Sequence, residues 1–113
     1  MTDHITITPA TNTWVVRAAG AVIGESRDVL LLQEGTRPVV AYFPRADIAM
    51  AFLDASDTQT RCPHKGDASY YSIVAKSGAL TDAAWSYEDP IADVAQIKGY
   101  LAFAHEKIAV EEL

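Results

Sequence analysis

The chain has 113 residues and a formal net charge of −6, with half of its residues hydrophobic and about a fifth charged. That length allows one domain, residues 1–113, and leaves no room for a second; surface scaling buries roughly two-thirds of the chain, enough for a core without staples. The acidic balance excludes a general affinity for nucleic acid or for an anionic membrane, because both need a basic face.

The only cysteine, Cys62, has no intrachain disulfide partner, which fits a reducing compartment. Met1-Thr2-Asp3-His4-Ile5 has no basic stretch leading into an apolar run, so no signal peptide is expected. The apolar run Val29-Leu30-Leu31-Leu32 is far too short to span a bilayer. A soluble cytoplasmic protein is the default expectation.

In chain order, Ile5 to Thr8 alternates Ile and Thr and reads as a short strand ended by Pro9. Residues 14–18 and 21–26 are strands around an Ala19-Gly20 turn, and Gly24 inside the second signals a bulge or a close backbone approach. After a turn at Arg27-Asp28, residues 29–33 form a strand whose unbroken apolar run predicts burial on both faces. Residues 35–38 turn, and 39–43 are strand. Residues 45–54 carry Ile48, Ala51 and Phe52 at helical spacing, with Asp47 in the first turn and Pro44 suited to the start, so one short helix is predicted there.

Residues 57–62 read as a strand stopped by Pro63, and 64–67 as a loop. Strands at 68–75 and 80–87 are joined by Lys76-Ser77-Gly78-Ala79. With Ser77-Gly78 as a two-residue loop, Tyr70 pairs with Trp85 and Ala68 with Tyr87, and Tyr70, Trp85 and Tyr87 share one face. A slip of one residue would bring Tyr71 there instead. Glu88-Asp89-Pro90 closes the strand, residues 91–98 form a helical turn ended by Gly99, 100–103 are strand, and 107–110 are a final one. The sum is a mainly β chain, an antiparallel meander with one or two short helices.

The ordered motifs Tyr42-Phe43-Pro44-Arg45-Ala46-Asp47, Cys62-Pro63-His64-Lys65-Gly66-Asp67-Ala68-Ser69-Tyr70-Tyr71, Ala84-Trp85-Ser86-Tyr87 with Asp89-Pro90, and Ile97-Lys98-Gly99-Tyr100-Leu101-Ala102-Phe103 carry a family resemblance. From about residue 14 to residue 110 the chain resembles a mainly bacterial family known as domain of unknown function 427. The resemblance implies a small, mostly β domain of β-tent-like or partly open barrel arrangement. Some β-tent relatives bind zinc through paired cysteines and others hold ligands in aromatic cages; this chain has no Cys-x-x-Cys. The family carries a nucleotidyltransferase label in places, but the Gly-Ser with a later Asp-x-Asp that such chemistry uses is absent, as are Gly-x-Gly-x-x-Gly and Walker loops.

Cys62 is either a nucleophilic or redox thiol, which needs a neighbouring cation or base, or a small buried hydrophobe ending a strand. Cys62 and His64 offer only two metal ligands, with His4 and His105 remote, so neither a metal nor a cofactor is expected. The sharpest site hypothesis is a cleft. Lys65 and Arg45 supply charge just after Pro63 and Pro44, and Arg17 adds a third cation within an apolar strand. Trp85, Tyr87, Tyr42 and Tyr71 supply flat faces with polar handles. Cations beside aromatics suit a small planar or anionic ligand. One alternative is an enzyme, thiol-based at Cys62 or acid–base at Tyr87, Asp67 and Lys65. Another is a structural domain, monomeric or paired into a homodimer through a strand edge.

Overall fold

The computed structural model describes residues 4–76 and 78–113. Ten strands run in the order β1 (Ile5–Pro9), β2 (Trp14–Ala18), β3 (Ala21–Ser26), β4 (Leu30–Glu34), β5 (Val40–Tyr42), β6 (Leu53–Cys62), β7 (Gly66–Ala75), β8 (Gly78–Ser86), β9 (Ala102–Phe103) and β10 (Ile108–Glu112). All pairings are antiparallel, in sheets ordered β1–β4–β5, β10–β2–β3 and β6–β7–β8–β9. Succession along the chain is kept from β6 to β9, but β1 skips the β2–β3 hairpin to reach β4, and β10 closes on β2.

Two of these sheets are stitched together. Phe43 and Leu101 form a lone antiparallel bridge, each N–H donating to the other's carbonyl at 2.8 Å. The result is a continuous run β1–β4–β5–β9–β8–β7–β6. Its two faces follow from the two-residue period of a strand. Leu31, Ala41, Phe43, Ile73, Ala84, Leu101 and Phe103 face one core, shared with Val16, Ala18 and Ile23 of the β10–β2–β3 sheet. Leu30, Leu32, Val40, Tyr42, Ala68, Trp85 and Ala102 face a second core, covered by Val94 and Ile97. The Val29–Leu32 run is apolar throughout because β4 lies between these two cores.

The β2–β3 turn at Ala19-Gly20 has positive φ at both residues (49° and 88°), the form that matches the twist of a two-residue hairpin. Gly24 shows both features expected of it. The β2–β3 register shifts beside it, and an added Cβ would run into Ile48 Cδ1.

That close approach explains where the helix of residues 45–54 fails. Only two isolated 3-10 turns form, Arg45–Asp47 and Met50–Phe52. Between them Ile48 bridges Gly24, and the Ala49 N–H donates to the Ile23 carbonyl at 2.8 Å. Pairing with β3 and burial of Ile48 outweigh helical propensity, a weak prior. A third 3-10 segment, Ala92–Ile97, occupies the predicted helical turn before Gly99.

Tyr70 does pair with Trp85, but not for the reason the loop position implies. Ala75 opposes Gly78, so Gly78 is paired in β8 and is not a loop residue; Ser77 lies outside the described residues, as do residues 1–3. A register shift between Tyr71 and Ile73 then adds two residues to β8, around Asp82 at φ 52°. β6 shifts register at the same level. Thr58 Oγ1 of that bulge donates to Asp82 Oδ2 at 2.7 Å, and the Asp82 N–H donates to Ser72 Oγ at 3.1 Å. Paired bulges bend the sheet there.

Candidate functional site

The second face of the long sheet carries a hollow of about 380 Å³. Trp85 and Tyr70 form one wall, ring centroids 6.4 Å apart and planes tilted by 38°. Tyr42 stands across the β5–β9 seam and receives a hydrogen bond from Trp85 Nε1 at 3.3 Å. Tyr87, one residue past β8, completes the aromatic lining.

Lys65 enters from the turn between β6 and β7. Its N–H donates to the Cys62 carbonyl at 3.1 Å, and its carbonyl accepts from the Ile91 N–H at 3.0 Å. Gly66 follows at φ 113°, under the backbone of Asp89 and Pro90, a conformation that suits only glycine. The Lys65 side chain is thereby turned inward and is only 11% exposed. Its Nζ donates to Glu34 Oε1 at 2.5 Å. Arg37, at the hollow's rim and largely exposed, lies 3.9 Å from the same oxygen.

The electrostatics follow from these contacts. The hydrogen bond from Lys65 holds the Glu34 carboxyl below its usual range, against the opposing effect of burial. Burial works against the Lys65 charge, but Glu34 and Cys62 outweigh it and its pKa is raised. Both groups are therefore ionised at neutral pH. Burial pushes the Tyr42 phenol up to about 12, partly offset by Trp85, and raises that of Tyr87 as well, so both hydroxyls stay protonated and able to donate. Tyr87 is 6% exposed and lines the hollow, where Asp82 Oδ1 is a buried oxygen without a partner among the described residues.

Of the seven residues singled out in the sequence, the structure brings four together here: Lys65, Tyr42, Trp85 and Tyr87. Arg45 and Tyr71 meet on the opposite face of the sheet, since Tyr71 is the alternate neighbour of Tyr70. There Arg45 donates to Gly99 O (3.1 Å), Tyr71 Oη (3.3 Å), Ser86 Oγ (3.4 Å) and Glu88 Oε2 (2.8 Å), with its guanidinium 5.6 Å from the Tyr71 ring centroid. Arg17 lies on β2, exposed and paired with Glu111 of β10 at 3.3 Å. Asp67 is engaged by Arg61 at 2.8 Å, both exposed. Among the described residues no three His, Cys, Asp or Glu side chains gather as a metal site, and no helix is long and apolar enough to cross a membrane.

Glu34, Arg37, Tyr70 and Asp82 belong to the hollow but were not among the seven. Glu34 had a readable signal. Leu30, Leu32 and Glu34 alternate onto one face, and an acid on a leucine face needs a partner.

No curated protein matches the chain. A family model described as "Domain of unknown function (DUF427)" matches residues 6–112, and the chain belongs to that family.

Proposed function

We propose that this member of the DUF427 family is a small cytoplasmic module, monomeric or homodimeric, that binds a small planar or anionic molecule in the Trp85–Tyr42 hollow. One observation carries the reading: an aromatic-walled hollow of about 380 Å³ holds a buried ion pair beside the protonated Tyr87 hydroxyl. A ligand in the hollow can accept from the Tyr87 hydroxyl and stack on Trp85. The cavity volume suits a small molecule.

The test is a screen of flat aromatic and small anionic fragments by ligand-observed NMR, against the wild type, Trp85→Ala and Arg45→Ala, each first shown to be folded by circular dichroism. Hits lost in Trp85→Ala and retained in Arg45→Ala support the hollow. Hits indifferent to Trp85, or an empty screen, overturn it.

A thiol- or acid–base enzyme centred on Cys62, Lys65 and Tyr87 is the second reading. It is favoured by the reach of Cys62 to the Lys65 ammonium and by its packing in the same apolar cluster as Tyr87. Rapid alkylation by iodoacetamide, with a midpoint well below the ordinary thiol value of about 8.5, supports this reading; slow alkylation removes it.

A further inference from the structure

We infer that the hollow selects a neutral planar heterocycle presenting a ring N–H beside a ring carbonyl, the lactam edge of an oxopurine or a pyrimidine, with Glu34 accepting the N–H and Tyr87 and Lys65 donating to the carbonyl. This deepens the binding proposal and rests on it.

Charge comes first. Lys65 and Glu34 are both ionised and in contact, and the two other charged residues of the lining, Arg37 and Asp82, are of opposite sign, so the hollow carries a dipole and no net charge. A planar anion would draw on Lys65 only while being repelled by Glu34. A neutral edge with one donor and one acceptor meets both ends of the dipole.

The unspent hydrogen-bonding capacity has the same polarity. An ammonium has three N–H groups, and Lys65 directs one to Glu34 and has Cys62 within reach of another. A carboxylate accepts through both oxygens, and at Glu34 Lys65 and Arg37 both approach Oε1. Glu34 Oε2 accepts from neither of these cations and is not among the buried unpaired oxygens, so it is open to the hollow. The hollow therefore offers a carboxylate acceptor at Glu34 and a phenolic donor at Tyr87, with Glu34 close enough to Tyr87 to raise its pKa. Asp82, whose buried Oδ1 has no partner among the described residues, is a second acid on the lining.

Size and shape complete the argument. The tilted Trp85–Tyr70 wall offers a stacking surface. A volume of about 380 Å³ lies toward the small end of ligand pockets, enough for one or two fused rings. The nearest further cation at the rim, Arg37, already leans toward Glu34, so no phosphate cradle extends the cavity.

The experiment compares hypoxanthine, 1-methylhypoxanthine and benzoate on the intact chain, with dissociation constants from NMR titration. Methylation removes the one N–H beside the carbonyl and keeps the flat ring. A site built to pair a polar group rejects the analogue that lacks it, so hypoxanthine should bind at least about tenfold tighter than its methylated form, and tighter than benzoate. Glu34→Gln, which keeps the side chain's shape, should narrow the gap between the two purines. Equal binding of the two purines, or benzoate binding best, overturns the lactam assignment and leaves the binding proposal standing. If none of the three binds while the fragment screen yields hits dependent on Trp85, the assignment alone falls. If that screen is also empty, both fall.

Discussion

Arg45 and Lys65 invite comparison because they look alike in the sequence and end differently. Each is a cation shortly after a proline, and each reaches an aromatic neighbourhood. Arg45 spends its guanidinium on four internal oxygens across 54 residues of sequence, and so fastens the Gly99 and Glu88 segments to the sheet. Lys65 has one carboxylate partner and faces a cavity lined by the Tyr87 phenol and by Asp82, whose Oδ1 is unpaired among the described residues. A cation beside a tyrosine thus marks a binding site only when hydrogen-bonding capacity is left over. Where none is left, the same pattern is a fastener.

The comparison breaks most visibly at Lys65. Lys65→Met leaves the buried Glu34 carboxylate with only the exposed Arg37, 3.9 Å away, and should cost about 3 kcal/mol in urea unfolding. Adding Glu34→Leu should restore most of that loss, because an apolar pair does not need the compensation. Arg45→Ala should cost less, about 1–2 kcal/mol, since its partners Glu88 and Tyr71 can turn to water, and it should leave probe binding unchanged. A ligand-binding loss in Arg45→Ala would erase the distinction.

The pH dependence sharpens it further. Glu34's carboxyl is lowered in the folded state, so its contribution is present above the unfolded carboxylate value and is lost as pH falls through the folded one. Lys65 is raised, so its contribution is present below the unfolded lysine value and is lost as pH rises through the folded one. The stability gap between wild type and Lys65→Met should therefore be widest between about pH 5 and pH 10 and shrink on both sides. A gap that is flat with pH would mean that the pair is not ionised. Smallest of all, Tyr87→Phe should change stability by less than about 0.5 kcal/mol, because it keeps the ring that lines the hollow, while weakening whatever probe the hollow binds. A substantial stability loss there would show the hydroxyl already satisfied.

Local rules carried the sequence reading as far as local chemistry reached. β2 and β3 match their expected bounds residue for residue because two consecutive positive-φ positions at Ala19-Gly20 pin the turn between them. The pairing of Tyr70 with Trp85 emerged from two offsetting features, the pairing of Gly78 with Ala75 and a bulge at Asp82, and neither is visible in hydrophobic alternation. The helix at 45–54 was lost to a non-local competitor, the β3 edge. The ion pair that shapes the hollow joins residues 31 apart, one on β4 and one in the β6–β7 turn, so no spacing rule links Lys65 to Glu34. Which face Arg45 and Tyr71 occupy depended on a one-residue register choice, the quantity sequence fixes least.

The seam between β5 and β9 rests on two short strands and the Phe43–Leu101 bridge. The hollow straddles it, with Tyr42 and Glu34 on one bank and Trp85, Tyr70 and Tyr87 on the other. A guest lying between those banks becomes an extra rung across the narrowest join in the molecule. Occupancy and mechanical unity are then one property, and filling the cavity should make the two halves of the long sheet melt as a single unit.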